Sequence, residues 1–323
     1  MKRIFFLTVL LFPLLHFSQT KDSTIVVEQK IVIQVPANPS NWTAKNNVGF
    51  DLSQIAFVNW NAGGVSSVTG LAKAGFSRIY AKSNFKWGNE LLMRYGLNKQ
   101  DGIEWRKTDD AFQFTSTAGY RKDTLSHWYH SAKFNFNTQF TSGYNYPNTA
   151  ESISKPFAPA YLFLGIGAEY ANKEEKINVY LSPFTVKTTL VLEQRLADLG
   201  SFGVDPAVYD LLTGGKVRDG KKYRTEVGVL VASAFKREVF KNINWENRLS
   251  LYSDYLNSFG NIDVDWFTQF DFVVNQYVKA NLGVHLIYDD DIKTSEEVNG
   301  QTVKRGAKIQ LKQSLGIGMV YRF

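Results

Sequence analysis

The sequence predicts an all-β chain folded as a transmembrane, antiparallel up-and-down β-barrel of about 12 strands, with 10 or 14 as the nearest alternatives. Three observations predict it. Hydrophobicity alternates with a period of two over most of residues 46–323, the period of a strand with one apolar face. The connections between alternating segments are by turns short and long, as in barrels with tight turns on one side and loops on the other. Aromatic residues (Phe 24, Tyr 16 and Trp 7 in 323 residues) gather near segment ends, where the interfaces of a bilayer would lie.

The elements follow in order. Lys2 and Arg3 precede an apolar run from Ile4 to Phe17, after which polarity returns at Gln19. That run is shorter than the roughly 20 residues of a membrane-spanning helix and has the form of a secretory signal peptide, assigned to 1–18. Residues 19–45 read as a periplasmic N-terminal extension, with Val26-Val27, Ile31, Ile33 and Val35 suited to a short strand. The barrel occupies 46–323, with strands expected near 46–59, 66–82, 84–97, 108–121, 126–142, 158–171, 175–190, 222–237, 240–255, 260–273, 276–290 and 305–323. Segments 98–107, 143–157, 191–221 and 291–304 are the expected long loops. An even strand count returns both termini to the periplasmic side.

The last strand shows the pattern best. Leu311, Leu315, Ile317, Met319, Tyr321 and Phe323 share one face, and Lys308, Gln310, Lys312, Ser314, Gly316, Gly318 and Arg322 the other. A soluble sandwich or lipocalin-like barrel would alternate too. The membrane reading is favoured by the aromatic strand ends, such as Trp87, Tyr120, Trp128, Tyr170 and Tyr255, and by the C-terminal Tyr321 and Phe323. Those two resemble the signal read by the outer-membrane assembly machinery. Such a chain would contact outer-membrane lipid and lipopolysaccharide.

Net charge is +7, but its basic residues are scattered rather than clustered, which argues against nucleic acid as a partner. With Cys 0 there are no disulfides, thiolate nucleophiles or Cys-ligated zinc.

Several motifs resemble a family of Bacteroidota outer-membrane barrels described only as a domain of unknown function. They include Trp60-Asn61 with Gly63-Gly64, Trp87-Gly88-Asn89, Lys107 with Asp110, Gly119-Tyr120 and Thr138-Gln139-Phe140. The pattern continues through Gly143-Tyr144 with Pro147, Ile153-Ser154, Ala158-Pro159-Ala160-Tyr161, Leu181-Ser182-Pro183-Phe184-Thr185 and Phe202-Gly203-Val204. The resemblance spans roughly 48–210. It implies a place, the outer membrane of a Gram-negative bacterium, and no activity.

Candidate site residues are those that alternation aims into the lumen. The basic ones are Lys86, Arg94, Lys133, Arg224, Lys236, Arg248, Lys279, Lys308, Lys312 and Arg322. The acidic ones are Glu90, Glu169, Glu226, Glu246, Asp254, Asp263, Asp265 and Asp271. Near-balance of sign suits an interior braced by ion pairs better than a charge-selective constriction. Inward Phe163, Phe267 and Tyr252 would narrow it further. Hydrolase candidates are Ser126, His127, His130 and Ser131, and His285 with Asp289, Asp290 and Asp291. Their plainer readings are interfacial polar residues and a solvated loop. Asp289–Asp291 would suit a hard cation at most, and neither a resident metal nor a cofactor is expected. Loop 191–221 carries enough apolar residues, among them Leu199, Phe202 and Val204, to fold onto the lumen or a partner protein. The expected function is therefore a non-enzymatic scaffold with a charge-braced lumen. A narrow pore for small solutes is the alternative, and an outer-membrane hydrolase the third reading.

Overall fold

The computed structural model describes residues 40–56, 65–172, 174–257, 259–298 and 301–323. The expected signal peptide, most of the extension and the motifs at 60–64 lie outside the described residues. Twelve long antiparallel strands close into a barrel. They are β1 (Trp42–Ile55), β2 (Ser67–Lys82), β3 (Phe85–Gln100), β4 (Ile103–Tyr120), β5 (Trp128–Thr138) and β6 (Ala160–Asn172), followed by β7 (Ile177–Leu190), β8 (Tyr223–Phe240), β9 (Ile243–Asp254), β10 (Asp263–Val273), β11 (Val278–Tyr288) and β12 (Gln310–Arg322). Each pairs with its neighbours in sequence, and β12 closes on β1 with Asn47 opposite Arg322 and Asp51 opposite Gly318. The seam is short: β1 and β12 pair only from Asn47–Arg322 to Asp51–Gly318.

Both termini of the barrel share an end with the short connections at 83–84, 121–127, 173–176, 241–242 and 274–277. The opposite end carries 56–66, 101–102, 139–159, 191–222, 255–262 and 289–309. One expected loop is corrected: 98–107 is strand on both sides of a tight turn at Asp101-Gly102. Gly102 takes φ +76°, which the Asp-Gly pair accommodates without Cβ strain. β5 ends at Thr138, earlier than the expected 142, and β1 starts at Trp42, ahead of 46. Lys308 is also corrected. It lies between the hairpin Lys293–Val298/Gln301–Ala307 and β12, off the barrel wall.

Alternation sorts the two faces. Outward positions hold apolar side chains such as Phe50, Leu164, Phe184, Leu282 and Leu315, the last 81% exposed to solvent in the isolated chain. Around the short-turn end the outer face carries an aromatic belt. Trp42 packs on Tyr80 and Trp87 at 5.3 and 5.9 Å, Trp128 on Tyr170 at 5.3 Å, and Tyr321 on Phe323 at 5.7 Å. Buried residues are mostly polar and face inward: Ser131, Glu169, Thr185, Lys187, Glu226, Asp271 and Asn281.

A bulge in β7 at Ser182-Pro183 breaks the register with both neighbours. Proline, lacking a backbone N–H, is tolerated at such a bulge. Gly167 faces it so closely that a Cβ there would collide with the Leu181 carbonyl. The extra residue flips parity, so Asn178 and Tyr180 point inward before it and Thr185, Lys187 and Thr189 after it.

Candidate functional site

The barrel interior is crossed by ion pairs between strands that are not neighbours, which only a path through the lumen permits. Lys86 on β3 reaches Glu169 on β6 at 2.9 Å. Glu169 also accepts hydrogen bonds from Ser131 and from the Asn178 amide. Lys312 on β12 reaches Asp109 on β4 at 2.8 Å, and Arg94 shares the same carboxylate at 3.3 Å. Lys187 on β7, 4% exposed, lies 2.7 Å from Asp263, 3.4 Å from Asp289 and 3.5 Å from Glu226. Arg224 contacts Glu226 at 3.2 Å and Asp291 at 2.9 Å. Nearer the short-turn end, Glu246 pairs with Lys236 and with Arg248, the latter at 2.7 Å, while Lys279 approaches Asp271 at 3.8 Å.

Of the residues alternation aimed at the lumen, Lys86, Glu90, Arg94, Lys133, Glu169, Arg224, Glu226 and Glu246 hold inward register positions. So do Arg248, Asp263, Asp265, Asp271, Lys279 and Lys312. Arg322 ends β12 opposite Asn47. Sequence reasoning missed Lys187, the best-connected cation of the interior, because the bulge reverses parity between Leu181 and Lys187. It also passed over Asp51, Lys73 and Asp109. Asp51 and Lys73 form a 2.6 Å pair at the closing seam, and a Cβ at Gly318 would run into the Asp51 carboxylate.

Between the charged layers sits an apolar block of Tyr180, Leu230 and Tyr252, with Phe163 and Ala232 against it. Phe163 meets Tyr252 edge-on at 6.1 Å. Lys187 and Lys133 lie over the Tyr252 and Tyr180 rings, 5.2 and 5.3 Å from their centroids. Such cation–π contacts add to the ion pairs in a water-poor setting.

The loops at the long-loop end are fastened rather than loose. The Asp110 carboxylate accepts from the Phe140 and Thr141 amides at 2.7 and 2.9 Å, from the Thr141 hydroxyl at 2.9 Å and from Lys107 at 2.9 Å. Tyr146 Oη accepts from the Lys107 amide at 3.1 Å. The Lys107–Asp110 motif is thus the clasp that folds 139–146 against β4. Loop 191–222 begins with a short helix, α1 (Gln194–Asp198), and has its own core of Ala158, Val191, Leu196, Ala197 and Val204. The Asp198 carboxylate accepts from Lys216, Gln194 and the Gly220 amide at 2.7, 2.7 and 2.8 Å. Those donors hold its pKa down, at about 2, the Lys216 hydrogen bond being the largest cause. Arg195 binds the Ser152 carbonyl, and the Gly203 carbonyl accepts from Arg224 at 3.1 Å.

Asp263, Asp289 and Asp291 bring their carboxylates within 4.8 Å of one another, but Lys187 and Arg224 already supply cations to them. The hydrolase candidates are dispersed. His130 faces outward, whereas Ser131 points inward to Glu169, as alternate residues of a strand must. His285 pairs with Asp265 at 2.8 Å.

Residues 52–144 match the family described as "Protein of unknown function (DUF3078)". Among curated proteins none matches the chain. Solved barrels similar to it include an outer-membrane channel from Pseudomonas putida F1, at 11% identity and TM-score 0.40 over 89% of this chain and 97% of that one. The translocator domain of the autotransporter NalP from Neisseria meningitidis is similar at 11% identity and TM-score 0.35, covering 89% and 90%. A FadL homologue from Pseudomonas aeruginosa is similar at 9% identity and TM-score 0.32, covering 87% and 89%.

Proposed function

We propose that the chain is an outer-membrane β-barrel whose interior is closed by ion pairs and an aromatic block, and that it serves as a non-enzymatic scaffold for an outer-membrane partner protein. The observation that carries this reading is Lys187, gripped by carboxylates from β8, β10 and the connection after β11 directly above the buried Tyr252 ring. An open channel would keep such charges hydrated, whereas here most lone pairs and protons face one another. The apolar outer face and aromatic belt suit lipid and lipopolysaccharide on the outside of the wall. The folded loops 139–159 and 191–222 are the surfaces that a partner would meet. The assembly machinery would read Tyr321 and Phe323 during insertion.

A narrow pore for small solutes is the second reading, favoured by the surplus of polar over apolar residues lining the wall. Conductance of the refolded mature chain in a planar bilayer separates the two, with a heat-shift gel verifying the folded barrel. Silence from a folded barrel supports the scaffold, and discrete steps establish the pore.

A further inference from the structure

The motif residues Lys107, Gln139 and Ser154 converge on a cavity of about 220 Å³ at the long-loop end, completed by Thr108, Asp109 and Lys312. We propose that this cavity binds a small solute through a single carboxylate group. The inference concerns ligand recognition at the rim and holds whether or not the lumen conducts.

The donor and acceptor inventory decides the ligand's charge. Asp110, which also borders the cavity, is saturated by four donors, one of them Lys107, so that pair is neutral and spent. Asp109 faces two cations, Arg94 at 3.3 Å and Lys312 at 2.8 Å, leaving one positive charge in excess. Lys312 keeps its side chain 44% exposed, and its ammonium, a donor of three protons, has Asp109 at 2.8 Å. Gln139 lines the cavity, and its amide Nε2 is buried with no hydrogen-bond partner, a costly state that a turn of the amide toward an acceptor in the cavity would relieve. Ser154, which also lines the cavity, adds a hydroxyl. An ammonium, an amide N–H and a hydroxyl around one surplus positive charge form a donor set for a carboxylate. Size limits the rest of the molecule, since pockets for drug-sized ligands run to about 300–1,000 Å³. The cavity therefore suits a solute on the scale of a hydroxy acid or an amino acid.

Saturation-transfer NMR on the full-length barrel in detergent tests this, with lactate as probe, glycerol as neutral control and inorganic phosphate as the competing anion. Lactate is expected to give a saturable signal and glycerol none. Gln139→Leu and Lys312→Gln should each weaken lactate about tenfold while keeping the heat-shifted folded form. Should Gln139→Leu fail to fold, Gln139→Glu, with the same shape and a repelling charge, should weaken lactate at least as much. No saturable lactate signal in the unaltered protein, loss of that signal to an equal concentration of phosphate, or full lactate binding by the folded variants would each overturn the proposal.

Discussion

Lys187 on β7 and Asp263 on β10 meet at 2.7 Å across two intervening strands. The same ammonium approaches Glu226 and Asp289, so one buried cation ties three parts of the wall together. Removing one partner from a buried pair leaves uncompensated charge and costs about 3–5 kcal/mol. Lys187→Met should therefore lower the temperature at which the folded band converts to the unfolded one on a gel. An unchanged midpoint would mean that water already satisfies those carboxylates.

The aromatic block makes a separate claim about the lumen. Tyr180 and Tyr252 are 1% and 3% exposed and lie between the charged layers. Trimming both, as Tyr180→Ala with Tyr252→Ala, removes the block without touching an ion pair. The double variant should conduct in a planar bilayer where the parent is silent. If both are silent and folded, the ion pairs alone close the barrel.

Asp110 holds the loop rather than the wall. Its four donors would lose their acceptor in Asp110→Ala, and hydrogen bonds to charged groups are worth about 1.5–3 kcal/mol. Chymotrypsin should then cut after Phe140 or Tyr144 while the barrel keeps its heat shift. Equal resistance of variant and parent would mean that the β6-side contacts of this loop suffice to hold it.

The outer face carries the membrane assignment. Leu315 is fully outward, opposite Leu282 in the middle of β12. An arginine facing lipid near the bilayer midplane costs about 2–4 kcal/mol, whereas the same change in water costs little. Leu315→Arg should lose that much stability in lipid vesicles, measured by urea unfolding. A neutral effect would place this face in water.

Much of the fold is legible because a barrel wall repeats one simple rule. Parity alone places Lys86, Glu169, Asp263 and Lys312 inside, since a strand cannot change face without a bulge. What parity cannot see is the bulge itself. Ser182-Pro183 is its sequence trace, and reading that pair as a break would have turned Lys187 inward. Asp101-Gly102 likewise marks a two-residue turn that the polar composition of 98–107 disguises as a loop. The rim cavity was not legible at all: Gln139 and Lys312 are brought together by closure of the sheet and by the Asp110 clasp, neither of which is local in sequence.

The loop 191–222 should respond to acid in a defined window. Asp198 has its pKa depressed to about 2 by Lys216, the Gly220 amide and Gln194, against about 3.9 in an unfolded chain. A depressed carboxylate stabilises at every pH above its unfolded value and loses that contribution as pH falls through the folded one. Lys216 is shifted upward by the same pairing, so its contribution is complete below the ordinary lysine range and adds no change between neutral pH and 4. Exchange protection of the Gly220 amide, corrected for intrinsic rate, should therefore hold from neutral pH down to about 4 and collapse toward 2. Asp198→Asn should lower that protection already at neutral pH, because the charge-assisted bond from Lys216 is gone. Protection that declines between neutral pH and 5 would instead assign the fastening to a group with a higher pKa.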